Sequence, residues 1–226
     1  MADRKKEDFL YRDQAVKVFH DHAAEYDSWF TGSLVYAIEL AALRSLHTVM
    51  AGPKMEIGVG PGRFARDLGL AFGLDPARAP LRLALQRGIK CCQGIGEELP
   101  MKDGTVGTVY LLFTLCFGLD PQKIIEESGR VLMDGGHLIV GMMPAGSAWG
   151  IHLAAKKRAG NIFYAHANFY TIATVKAWLA EADMSVIEYR STLYQPPGQV
   201  ALEEEPREAL DEQAGFAVIA ARKNHG

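Results

Sequence analysis

The sequence predicts an α/β fold, a doubly wound and mostly parallel sheet with helices on both faces. Three observations carry this. From Lys54 onward, short apolar runs alternate with segments of helical spacing. The first of those runs ends in a glycine loop that opens into a helix. Residues 106–113 are almost continuously apolar, as expected of a strand covered on both faces.

The elements follow in order. The chain before Lys54 reads as helix: Phe9, Leu10, Val16, Val18 and Phe19 lead to the aromatic cluster Tyr26, Trp29 and Phe30, and a second helix covers residues 34–50. Gly52-Pro53 then breaks the chain. Residues 1–52 are therefore expected to form a helical lid on a core of residues 53–226. Within the core, strands are expected at 55–58, 71–74, 89–93, 106–113 and 137–143, with helices at 62–70, 80–87 and 121–132. Pro121 starts the last of these helices, and Gly135-Gly136 turns the chain into the strand after it. Such repeated units imply right-handed crossovers. The end departs from that rhythm. A helix over 170–182, with Ile172, Val175, Trp178 and Leu179 on one side, precedes strands at 186–194 and 214–222. A loop alone joins those two strands, which suggests an antiparallel pair. Residues 144–169 and 195–213 are the two long insertions.

Bulk composition narrows the function classes. Apolar residues make up 49% of the 226, enough for a core without disulfides. A net charge of −3 gives no electrostatic reason to expect a nucleic-acid partner. The three cysteines, Cys91, Cys92 and Cys116, have no metal-ligand spacing and form no even disulfide framework, so no metal is expected and a reducing, cytoplasmic compartment fits. The longest greasy stretch, residues 109–119, is far short of the roughly 20 residues of a membrane helix, so no membrane association is expected.

The glycine loop has two overlapping readings. Gly58, Gly60 and Gly62 give G-x-G-x-G, the spacing of S-adenosylmethionine (SAM) binders. Gly60, Gly62 and Ala65 give G-x-G-x-x-A, which a dinucleotide binder permits. In either, glycines let backbone approach a ligand and the following helix offers free N–H groups. Glu56, two residues before the loop, is placed to anchor it or to face a methionine ammonium. Asp75 ends the next strand, where a carboxylate accepts both ribose hydroxyls, and this serves either cofactor. The acidic turn Gly96-Glu97-Glu98 is placed to meet an adenine amino group.

The run Glu56-Ile57-Gly58-Val59-Gly60-Pro61-Gly62-Arg63-Phe64-Ala65 resembles motif I of the class I SAM-dependent methyltransferases. Gly73-Leu74-Asp75-Pro76 and Gly96-Glu97-Glu98-Leu99-Pro100 are similar to the family's next two motifs. Arg130-Val131-Leu132 followed by Gly135-Gly136 looks like the R-V-L-x-P-G-G signature of the type 11 methyltransferase subfamily, with Met133-Asp134 in place of lysine–proline. The likeness covers about residues 26–222, including Tyr26-Asp27-Ser28-Trp29-Phe30 near the start and Phe163-Tyr164 with Phe169-Tyr170 near the end. It implies a Rossmann-like sheet of seven strands, the last antiparallel. It also implies SAM, leaving as S-adenosylhomocysteine, across the carboxyl ends of the first, second and fourth strands. The cofactor contacts it implies are Tyr26, Glu56, Gly58, Val59, Gly60, Gly62, Asp75, Pro76, Gly96, Glu97, Phe113 and Thr114.

Methyl transfer from a sulfonium is an in-line displacement in which positioning does much of the work, so no fixed triad is expected. The two insertions are expected to wall a small-molecule acceptor, with His152, Tyr164, His166 and Asn168 as polar candidates for contact or proton removal, and Tyr26 as a cover over the cofactor. The acidic run Glu203-Glu204-Glu205 and the basic run Lys156-Lys157-Arg158 are expected to be solvated. Two other functions stay open at this point. One is an NAD(P)-dependent oxidoreductase, against which Tyr110, Tyr164, Tyr170 and Tyr189 all lack a lysine four residues on. The other is a SAM-binding protein without chemistry.

Overall fold

The structure is a computed structural model in which residues 14–50 and 52–225 are described; Phe9 and Leu10 of the expected first helix lie outside them. The described residues form seven strands: β1 (Lys54–Ile57), β2 (Phe72–Asp75), β3 (Lys90–Gln93), β4 (Val106–Leu112), β5 (Leu132–Met142), β6 (Met184–Thr192) and β7 (Phe216–Lys223). They form one sheet in the order β3-β2-β1-β4-β5-β7-β6. The first five pair in parallel, and β7 runs antiparallel between β5 and β6. The seven-stranded sheet with an antiparallel last strand is thus as expected.

Helical residues 14–21 precede α1 (Ala23–Ser28) and α2 (Leu34–Arg44). The remaining helices are α3 (Arg63–Asp67), α4 (Arg78–Gln86), α5 (Pro121–Val131), α6 (Ala148–Arg158) and α7 (Ile172–Glu181). Every residue of β4 is buried, and its side chains alternate between two cores. Val109 and Leu111 pack with Ile124 and Ile125 of α5 and with Val175 and Leu179 of α7. Tyr110 and Leu112 pack on the other face with Ile38 and Leu43 of α2, Phe64 of α3 and Leu81 of α4. Start signals in the sequence do what their types allow. Asp120 accepts from the Lys123 N–H at 3.0 Å beside Pro121, and Ser33 accepts from the Tyr36 N–H at 3.2 Å.

Several elements differ from expectation, among them the helix expected over 62–70, which ends at Asp67. The helix expected to reach residue 50 stops at Arg44, because the N–H groups of His47 and Thr48 donate instead to the Glu188 carboxylate on β6 (2.8 and 2.9 Å). β5 starts at Leu132, which already pairs with Val106; the expected start at residue 137 follows a register shift that takes up Gly135, at φ +69°. The 144–169 insertion contains a helix, α6, which Ser147 caps through the Gly150 N–H at 3.0 Å.

Glu188 is the hub that fastens the N-terminal helices to the sheet edge. It also accepts from the Thr48 hydroxyl (2.6 Å) and from Arg190 (2.7 Å), whose guanidinium reaches the Ser45 carbonyl (2.8 Å). Partial burial would raise this carboxyl, but the donors from His47 and Thr48, with Arg190 beside them, outweigh it and hold it down at about 2. A depressed folded value means stability that is present above the unfolded value, near 4.5, and lost as pH falls towards 2. Glu188→Gln is therefore expected to cost on the order of 1–2 kcal/mol at neutral pH, after discounting for solvent screening. The gap should narrow steadily between pH 5 and 2. Paired urea titrations at pH 7 and pH 3 check this, and a gap equal at both would contradict it.

Candidate active site

The carboxyl ends of β1, β2 and β4 open onto one cleft with about 870 Å³ of empty space, part of it continuous with solvent. Gly58 and Gly60 form its floor, Asp75 and Pro76 one wall, Gly96 and Glu97 a second, Phe113 and Thr114 a third. Tyr26 closes it from above together with Phe19 and Val16. Nine of the twelve residues expected around the cofactor are thus brought together.

The other three are structural neighbours of the cleft. Glu56 is 2% exposed and lines no part of it. One oxygen of its carboxylate is bonded by the Ala65 backbone, and Oε2 has no partner among the described residues. Burial, with Asp75 nearby, raises its carboxyl well above the ordinary range. Val59 fills the space that Gly73 leaves, and Gly62 lies against Ala84 of α4.

The loop itself is held by its own N–H groups. Gly58 and Val59 donate to the Leu74 carbonyl (2.7 and 3.0 Å), Gly62 to the Val59 carbonyl (2.9 Å), and Gly60 to Asp75 Oδ2 (2.9 Å). Pro61 has no N–H to offer. The N–H groups of Gly58, Val59, Gly60 and Gly62 are thus all engaged, which leaves none of these four for a pyrophosphate. Asp75 accepts a second bond from the Ala77 N–H at 2.8 Å, leaving lone pairs towards the cleft. Burial pushes its carboxyl up to about 6 against the pull of these two bonds.

Two contacts fix the loop's surroundings. Phe113 leaves β4 at φ +57°, a conformation unfavourable for a side chain of its size. That turn aims the Thr114 hydroxyl back to donate to the Ile57 carbonyl at 2.7 Å. A Cβ on Gly58 would meet this hydroxyl at 2.6 Å, so glycine is required there. On the roof, Asp27 pairs with Arg63 and Arg87 (2.8 Å each), and Arg87 also donates to the Pro61 carbonyl at 2.8 Å. This clamp seats Tyr26, one residue earlier, where a Cβ on Gly60 would meet its ring at 3.5 Å.

A second chamber of about 790 Å³ adjoins the cleft and shares Phe19, Tyr26, Phe113 and Phe117 with it. Trp29, Tyr36, Trp149 and Tyr164 supply more aromatic wall, and the Phe163 ring packs 4.7 Å from that of Trp29. Of the acceptor candidates, Tyr26 and Tyr164 line this chamber; His152 and His166 line neither cavity. Asn168 accepts from Lys157 at 3.0 Å and donates to the Cys116 carbonyl at 2.7 Å, a brace below the chamber. Lys157 is thus engaged rather than merely solvated, and so is Glu204, which accepts from the N–H groups of Tyr194 and Gln195 (2.8 and 3.0 Å). No residue of the 195–213 insertion lines the cleft or the chamber, among the described residues. The insertion acts through Gln195, whose carbonyl accepts from the Trp149 indole at 2.9 Å. Cys116 lines the chamber as a neutral thiol, pushed up to about 12 by burial. Sequence reading passed over one residue, Glu39, which lines the chamber and is 5% exposed. The signal was a carboxylate between Ile38 and Leu40 on the apolar side of α2.

A sequence profile of the methyltransferase domain matches residues 55–140. A solved structure from Thermotoga maritima, described as a SAM-dependent methyltransferase and possible histamine N-methyltransferase, superposes with a TM-score of 0.86 at 30% identity. The match covers 93% of this chain and all of that one. This chain belongs to the class I SAM-dependent methyltransferases, type 11 subfamily. Two uncharacterised proteins are further relatives of this methyltransferase. One, from Mycobacterium tuberculosis, is 43% identical, covering 88% of this chain and 71% of its own. The other, from Methanocaldococcus jannaschii, is 34% identical over 92% of this chain and 100% of its own. Among the described residues of this methyltransferase, no helix is long and apolar enough to cross a membrane.

Proposed function

We propose that this chain binds SAM in the cleft and transfers its methyl group to a small-molecule acceptor in the adjoining chamber. The observation that carries the reading is the glycine loop. Its N–H groups are spent on Leu74, Val59 and Asp75, which suits a ligand without phosphates, while Asp75 keeps lone pairs for ribose hydroxyls. The cleft suits the rest of that ligand: Leu74, Ile95 and Leu112 give apolar walls for a purine, and Glu97 is placed for its amino group.

When bound, SAM supplies a methyl carbon already activated by the sulfonium. What falls to the chain is positioning and dryness. Asp75 orients the ribose and holds Gly60 in place. Tyr26, clamped through Asp27, keeps water off the cleft. Phe113 and Phe117 form the edge that both cavities share, so an acceptor in the chamber faces the cleft across aromatic rings.

Calorimetry with SAM and S-adenosylhomocysteine tests the reading. Micromolar or tighter binding of either is expected, and a folded protein that takes up neither sinks it. A parallel titration with NADH separates the two glycine registers, and no binding is expected there.

A further inference from the structure

Glu39 is the single charged residue lining the second chamber, among the described residues. It projects from α2 into a space walled by Trp29, Tyr36, Trp149 and Tyr164. It is 5% exposed, and among the described residues no hydrogen bond or ion pair reaches its carboxylate. The other titratable groups around it are neutral. Tyr26, Tyr36, Tyr164 and Cys116 are all pushed upward, chiefly by burial, and the Tyr36 hydroxyl is turned away to Asp67 at 2.7 Å. Burial alone lifts the Glu39 carboxyl to about 8.

A buried carboxylate without a partner costs stability, and leucine would fill the same helix face at no such cost. Without a ligand it is relieved by holding a proton, and a bound cation takes that proton's place. The surrounding ring faces are electron-rich and also favour a cation. Both features select the same ligand chemistry and disfavour an anion or a neutral phenol.

We propose that the acceptor is a small cationic amine, bound with its ammonium group on Glu39 inside the aromatic chamber. The inference rests on the methyltransferase reading above. Glu39 then has two tasks. It gives up its proton to solvent as the ammonium binds and pairs with it as carboxylate. It next accepts one N–H proton onto Oε, which frees the nitrogen lone pair. The nitrogen forms a bond to the donor's methyl carbon as the carbon–sulfur bond breaks, its electron pair passing to sulfur. The products are the N-methylated ammonium, S-adenosylhomocysteine and protonated Glu39, which loses its proton to solvent.

The test uses the whole chain with S-adenosylhomocysteine present. Probes are benzylamine, phenethylamine and histamine, beside the neutral 2-phenylethanol and the anionic 3-phenylpropionate. Binding is read by calorimetry and by quenching of Trp29 and Trp149. At least one amine should bind about ten-fold or more tighter than the alcohol, and the acid should not bind. Glu39→Gln, the same shape without charge, should erase that preference while changing S-adenosylhomocysteine affinity by less than about two-fold. With labelled SAM, the bound amine should yield N-methyl product. No binding by any amine, equal binding of amine and alcohol in the wild type, or a preference that survives Glu39→Gln overturns the proposal. The wild-type comparison needs no variant to fold. Loss of S-adenosylhomocysteine binding in the wild type is a separate failure, that of the donor reading.

Discussion

Replacing Asp75 with alanine is expected to raise the dissociation constant for S-adenosylhomocysteine by about 100-fold or more. The carboxylate has two loads. It accepts from the Gly60 and Ala77 N–H groups (2.9 and 2.8 Å), and it is placed for the ribose hydroxyls. Removing it strands two backbone donors and deprives two hydroxyls of a charged acceptor, each such bond being worth roughly 1.5–3 kcal/mol. Asp75→Asn keeps the shape and one acceptor, so a loss of about ten-fold is expected. The two variants also differ from wild type in pH response. Because burial lifts the Asp75 carboxyl to about 6, wild-type affinity should fall as pH drops below 6, by up to about ten-fold per unit, whereas the asparagine variant should be flat there. Calorimetric titrations from pH 8 to 5 check both points. A pH-flat wild type, or an alanine variant within about three-fold of it, contradicts this role.

The parts of the fold that were legible share one property: their pattern depends on burial from both sides. β4 is apolar at nearly every position because helices cover each face, and its run reads plainly. The glycine loop reads equally well, since Gly58 and Gly62 sit at positive φ with another residue where a Cβ would be. α6 read only at its end, where Lys156-Lys157-Arg158 looks like a solvated helix face. It is half solvated, exposes Ile151, and carries Gly150 where the Pro144 carbonyl presses on it, so no apolar stripe marks it. The Ser147 cap marks its start. The chamber was illegible for a different reason. Glu39, Trp149 and Tyr164 lie far apart in sequence, and nothing local says that α2, α6 and the turn after it meet. The histidines drew attention by residue type, yet neither lines the cleft or the chamber. Glu39 drew none, although a carboxylate inside an apolar helix face is the rarer event.

Gly62→Ala should destabilise the protein by about 2–5 kcal/mol. Two terms add. At φ +77° an L side chain costs roughly 1–2 kcal/mol, and the new methyl would lie 2.8 Å from Ala84 Cβ and 3.0 Å from its Cα, an overpacking worth about 1–3 kcal/mol. For a chain of this size the melting temperature should fall on the order of 5–15 °C. Gly69 separates the terms, because it has φ +68° with nothing within 4 Å, so Gly69→Ala should show the backbone cost alone. Ala84→Gly in the Gly62→Ala background should recover part of the loss, giving a coupling of about 1 kcal/mol in a double-mutant cycle. Equal costs at positions 62 and 69, or no coupling to Ala84, would mean that packing against α4 is not what sets the loop. The functional consequence follows from the same contact. Gly62 N–H holds the Val59 carbonyl, and the turn it closes carries Gly60 to Asp75. A loop pushed off α4 therefore loses the Gly60–Asp75 bond as well, and the variant should bind S-adenosylhomocysteine more weakly even at temperatures where it is fully folded.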